Sequence, residues 1–127
     1  MKAIQTTGAP AAIGPYVQAV DIGSLVFTSG QIPVNPKTGE IPDTIILQTQ
    51  QALENVKAII TQAGLNVSNI IKMTVFIKNM EDFAEINTVY ESFFIDNQSG
   101  FPARSCVEVA RLPKDVLIEI EAIAVRV

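Results

Sequence analysis

Residues Val116 to Val127 alternate so strictly that little besides a β-strand with one covered face accommodates them. Ile118, Ile120, Ala122 and Ala124 fall on one side, and Leu117, Glu119, Glu121, Ile123 and Val125 on the other. The first side is small and purely aliphatic, which suits a sheet face packed under helices. A second run, Ile70 to Lys78, repeats the pattern, with Met73, Val75 and Ile77 against Lys72, Thr74, Phe76 and Lys78.

Two stretches follow the helical period instead. Asp43 or Thr44 caps a helix running to about Ala63, with Gly64 as its stop and Ile46, Leu53, Val56, Ile60 and Ala63 on its apolar stripe. Asn79 caps a second helix through about Phe94, whose stripe is Phe83, Ile86, Tyr90 and Phe93. Lys2 to Thr6 reads as a short strand and Ala9 to Pro15 as a loop. Tyr16 to Asp21 and Leu25 to Ser29 read as a hairpin around Ile22-Gly23-Ser24. Gly30 to Pro42 and Asp96 to Pro102 are loops, and Arg104 to Ala110 is a strand with Val107 and Val109 opposing Arg104, Cys106 and Glu108. The order β-β-β-α-β-α-β-β predicts one α+β domain over residues 1–127, a mixed sheet with two helices packed on one face.

The face away from the helices is awkward. It combines Phe76, Leu117, Ile123 and Val125 with Arg104, Glu119 and Glu121, too apolar for water and too charged for a dry core. A second subunit resolves this, so a homo-oligomer is expected. Net charge of −4 and the lack of any Lys/Arg cluster argue against nucleic acid as a partner. Met1 to Pro10 has no apolar signal region, no run is long enough to span a membrane, and the single Cys106 suits a cytoplasmic protein. Histidine is absent, which removes the commonest general base, nucleophile-activating partner and metal ligand. Any catalysis must rest on Glu, Tyr, Arg and backbone groups.

Period-two geometry is read as placing Arg104, Cys106 and Glu119 on one sheet face. Arg104 offers a fork for a carboxylate, and a partly desolvated Glu119 can orient or deprotonate water. Tyr16 and Ser29 supply hydroxyls, Gly30 permits close approach to the backbone, and Asn87 lies one position off the second helix's stripe. Each also has a plainer reading. Arg104 and Glu119 can form a structural ion pair, Cys106 can be an inert buried residue, and Glu108 and Glu121 solvated or interfacial charges. Tyr16 can be packing, Asn87 simply exposed, and Ser29-Gly30 a turn. Spacing leaves these alternatives open.

The run Pro102-Ala103-Arg104-Ser105-Cys106-Val107-Glu108-Val109-Ala110-Arg111-Leu112, followed by Ile118-Glu119-Ile120, resembles the signature of the RidA (YjgF/YER057c/UK114) family. Ala9 to Tyr16, Thr28 to Pro33 and Leu53 to Val56 agree with it, so the resemblance spans essentially the whole chain. It implies a chorismate-mutase-like homotrimer with sites in the subunit clefts. It also implies 2-iminobutanoate/2-iminopropanoate deaminase activity, the hydrolysis of reactive imines shed by pyridoxal-phosphate enzymes to 2-keto acids and ammonia, with no cofactor or metal. Under this resemblance Arg104 binds the substrate carboxylate and Glu119 holds water. Cys106 lends its backbone to the pocket, and Tyr16, Ser29, Gly30 and Asn87 complete it, with Tyr16 or Ser29 assisting the nitrogen or carboxylate. The expected site is shared, with Arg104 and Glu119 facing Tyr16, Ser29 or Asn87 across a subunit boundary. Competing readings are a carboxylate-binding regulator without turnover, a ribonuclease or translation inhibitor, and a chaperone.

Overall fold

A computed structural model describes all residues, 1–127. Six strands, β1 (Lys2–Ile4), β2 (Ala19–Asp21), β3 (Leu25–Thr28), β4 (Ile70–Ile77), β5 (Ala103–Glu108) and β6 (Ile118–Val125), form one sheet ordered β1-β2-β3-β6-β4-β5. Only the β4–β5 pair is parallel, so the sheet is mixed. Helices α1 (Ile45–Gln62) and α2 (Phe83–Asp96) join its inward residues in a single core. This is the expected α+β arrangement, in the expected order. No helix is long and apolar enough to cross a membrane.

The register between β4 and β6 builds the core. Met73 pairs with Ala122, Val75 with Ile120 and Ile77 with Ile118, and all six are buried. Paired residues share a face, so both runs turn their aliphatic sides to the helices together. Helix α1 begins where the Thr44 side chain accepts the Leu47 N–H. It ends in a Schellman turn: Gly64, at φ +83°, donates to the Thr61 carbonyl at 2.9 Å, and Leu65 donates to that of Ile60 at 3.1 Å.

Several boundaries and faces differ from the sequence reading. Ile46 is 46% exposed, because the buried stripe is centred on Ile45, Thr49, Ala52, Val56 and Ile59, about 100° round the helix. Asn79 caps a short 3₁₀ turn rather than α2 itself, accepting the Glu81 N–H while the Glu108 carboxylate accepts that of Met80. Phe83, at the start of α2, is 37% exposed instead of buried. Strand β2 starts at Ala19, which leaves Tyr16 in the preceding loop, and β5 stops at Glu108.

The long loop after β3 is tied down by polar groups. Gln31 exchanges backbone hydrogen bonds with Ile120, at 2.7 and 3.1 Å. From α1, the fully buried Asn55 donates to the carbonyls of Ile32 at 3.1 Å and Val34 at 3.0 Å. Asn55→Leu would leave the Val34 carbonyl without a donor and the Ile32 carbonyl with only the Val34 N–H, so we expect a loss of about 1–3 kcal/mol. Denaturant unfolding at fixed protein concentration reads it, and an unchanged midpoint would show that the loop is anchored elsewhere.

Candidate active site

The candidate residues separate into two groups, and the sheet lies between them. Arg104 pairs in register with Met73, and Cys106 with Val75, so both point to the helix side. Glu119 pairs with Phe76, and Phe76 with Val107, on the opposite side. The expectation that Arg104, Cys106 and Glu119 share a face is therefore wrong. Arg104 also leaves the mixed outer face, which keeps Phe76, Ile123 and Val125 beside Glu119 and Glu121, while Leu117, just before β6, packs against the core. The structural ion pair between Arg104 and Glu119 does not form; the salt bridges are Arg111–Asp115 and Arg126–Asp21.

The first group surrounds the Arg104 guanidinium. Its Nη1 donates to Asn87 Oδ1 at 2.8 Å. Its Cζ lies 4.8 Å from the Tyr90 ring centre and 5.4 Å from that of Phe83. Asn87 therefore acts in the same chain as Arg104, not across a boundary from it. The Nε and Nη2 donors have no partner in the protomer. They form one edge of the fork, the geometry that takes a carboxylate bidentately. Cys106 follows on β5, half-buried; burial pushes its thiol up against a smaller opposite pull from Arg104. A thiol so shifted makes a poor nucleophile, consistent with a scaffold role.

The second group gathers at Glu119. Its carboxylate lies over Gly30, where a Cβ would collide with Oε2 and stand 2.8 Å from Cδ. What approaches the backbone here is the protein's own carboxylate, so any larger residue would displace it. Burial pushes the Glu119 carboxyl above the ordinary carboxylate range, and Glu121 beside it adds in the same direction. Gly30 also lines a cleft of about 280 Å³ with Tyr16, Gln18, Gln31, Asn35 and Lys114. Tyr16 Oη accepts the Ile13 N–H at 3.2 Å and keeps its own proton to donate. Ser29 Oγ donates to the Val17 carbonyl at 2.6 Å, so its proton is committed while its lone pairs are free.

Three residues near these groups escaped the sequence reading. Phe83 and Tyr90 were assigned to the core stripe, yet they stack on Arg104; their spacing from Asn87, four and three residues, carried that signal. Lys114 reaches the cleft from a turn in which it and Asp115 both hold φ 55°, and no pattern in Pro113-Lys114-Asp115 announces this.

The raised Glu119 carboxyl makes a signed prediction. Its folded-state value lies above its unfolded one, so the ionised form weakens the fold once pH exceeds the carboxylate range. Glu119→Gln should therefore match the wild type at low pH. It should become the more stable protein as pH rises through that range, with the full gain at neutral pH. Melting temperatures across pH 3 to 8 check this, and a variant weaker at neutral pH would reverse the sign.

Residues 6–126 match the family model described as endoribonuclease L-PSP. A RutC family protein of Pasteurella multocida is 68% identical over 126 residues, covering 98% of each chain. The 2-iminobutanoate/2-iminopropanoate deaminase of Escherichia coli is 65% identical over 125 residues, again 98% of each. The crystal structure of Escherichia coli TdcF with bound serine superposes with a TM-score of 0.99 at 64% identity, covering both chains completely. With the fold, the motif run and nearly every residue accounted for, the chain belongs to the RidA (YjgF/YER057c/UK114) family.

Proposed function

We propose that this protein hydrolyses 2-imino acids such as 2-iminobutanoate and 2-iminopropanoate to 2-keto acids and ammonia. The observation that carries the reading is the Nε–Nη2 edge of Arg104, oriented by Asn87 and two rings and unpaired within its own chain. A relative 65% identical is a deaminase of that name. The endoribonuclease description of the family model sits poorly with a chain of net charge −4 and no histidine.

The sheet between the two groups gives the site its form. One small substrate cannot touch Arg104 and Glu119 of one protomer, since they occupy opposite faces. The pocket is completed between two copies, one supplying Arg104, Asn87 and the Cys106 backbone, the other Glu119, Gly30, Ser29 and Tyr16. The outer sheet face, where Val107 is 43% exposed beside Phe76 and Phe27 is exposed on the more distant β3, supports such an assembly, a homotrimer by the family resemblance.

In this site Arg104 takes the substrate carboxylate. A protonated imine is already electrophilic at C2, so hydrolysis needs placement more than activation and no cofactor. Glu119, its carboxyl raised toward the working pH, accepts a proton from the attacking water as oxygen bonds to C2. It returns that proton to the nitrogen of the resulting carbinolamine, Tyr16 donating a hydrogen bond nearby. Collapse breaks the C2–N bond and the hydroxyl O–H bond together, giving the keto acid, and the hydroxyl proton ends on the departing ammonia, which leaves as ammonium.

A second reading, binding of a small carboxylate without turnover, draws on the serine bound to Escherichia coli TdcF. A coupled assay separates the two. Added to a threonine dehydratase reaction, the protein should accelerate 2-ketobutanoate release, whereas a regulator would bind the keto acid and leave the rate alone. Arg104→Ala, losing charge-assisted hydrogen bonds together worth about 3 kcal/mol, should cost roughly 10²-fold in kcat/KM. Wild-type acceleration by that variant would sink the anchoring role. Arg104→Ala and Glu119→Gln subunits, each inactive alone, should regain about a quarter of wild-type activity when mixed and reassembled at random. Mixed oligomers that stay inactive would show that the site is not shared.

A further inference from the structure

Helix α2 spends one face on a single side chain. Phe83, Asn87 and Tyr90, four and three residues apart, fall on the same side of the helix, and all three meet the Arg104 guanidinium from the edge strand β5. Asn87 fixes one nitrogen by a hydrogen bond, but one such bond leaves the plane free to swing about it. The aromatic faces remove that freedom. Of the two, Tyr90 is nearer, at 4.8 Å against 5.4 Å, and is only 6% exposed, whereas Phe83 stands at the rim. Tyr90 is itself braced by Phe94, its ring centre 4.8 Å away.

The tyrosine hydroxyl plays no part in this. It is the one buried side-chain polar atom without a hydrogen-bond partner. What Tyr90 brings to Arg104 is its ring.

We propose that Tyr90 is a positioning residue for the imine-binding site, its ring acting as the platform that holds the Arg104 guanidinium in the orientation that presents Nε and Nη2 to a carboxylate. This rests on the anchoring role given to Arg104 above. A cation held over a shielded ring gains more than one in water, and the gain here is spent on orientation. The ring acts on substrate binding through Arg104 and not on the chemical step.

Three variants test it, each followed by steady-state kinetics, melting temperature and the NMR shift of the Arg104 Nε proton, which the ring current of Tyr90 displaces. Tyr90→Phe keeps the ring and removes the unpaired hydroxyl. It should preserve the displaced Nε signal, keep KM within about twofold and melt no lower than the wild type. Tyr90→Met keeps bulk without a ring. It should lose the displaced signal and raise KM about tenfold while kcat stays within about twofold. Phe83→Leu, at the exposed rim, should fold normally and raise KM by a smaller factor.

A rise in KM as large in Tyr90→Phe as in Tyr90→Met would overturn the proposal, because the hydroxyl would then be the operative group. So would a Tyr90→Met protein that melts lower and loses kcat but keeps the Nε signal, since that is a purely structural role. Should Tyr90→Met fail to fold, an unshifted Nε proton in the wild type still overturns it. Arg104→Ala separates this result from the reading beneath it. A wild-type KM in that variant removes the anchor, while the Nε signal independently decides whether Tyr90 holds the guanidinium.

Discussion

The register of β6 between β3 and β4 is the constraint on which everything else depends. Once Ile118, Ile120, Ala122 and Ala124 are committed to the helix side, the pleat sends Glu119 and Glu121 outward. A slip of one residue would bury two carboxylates beneath the helices and expose the aliphatic stripe, a change the core could not tolerate. The same commitment carries Gly30 into place, because Gln31 pairs with Ile120 and so lays the preceding glycine against the Glu119 carboxylate. The desolvated carboxyl and its close-fitting backbone are thus consequences of packing the core correctly.

Strand alternation was legible wherever one face was clearly apolar. In β6, and in β4 from Lys72 onward, the burial pattern follows the sequence residue by residue; a bulge between Ile70 and Lys72 turns Ile70 inward, and both helices form, with α2 starting only at Phe83. The phase of β5 was not legible. It is an edge strand, and neither Ala103, Ser105 and Val107 nor Arg104, Cys106 and Glu108 makes an obvious core face. Taking the valines as the inward side sends Arg104 outward. Parallel pairing with β4 reverses this, setting Arg104 beside Met73 beneath α2, where an amide and two rings receive its charge. Period-two reasoning orders residues within a strand. The phase between strands needs a pairing, and no local signal states one.

That error of phase bears on function. On one face, Arg104 and Glu119 would be within reach of each other, and each charge would be spent on its neighbour. On opposite faces neither can neutralise the other within a protomer. The guanidinium keeps an open edge, and the carboxylate keeps a raised proton affinity that a cation beside it would abolish. The sheet therefore keeps the two charges apart within one protomer. The pocket proposed above would need a second copy to bring the other half.

The absence of histidine then becomes intelligible in physical terms. A histidine base titrates near neutrality without assistance, whereas a glutamate gains proton affinity only by losing water or gaining a like charge beside it. Glu119 loses part of its water by burial against the Gly30 backbone, the like charge of Glu121 adds to the cost, and together these are a standing burden on the fold. At the boundary between copies proposed above, this cost would be partly offset, because apolar neighbours such as Phe76 and Val107 would be covered at the same time. The outer sheet face that looked neither wet nor dry is thus coherent. In the proposed assembly its apolar residues would be covered, and the same covering would take more water from the Glu119 carboxylate.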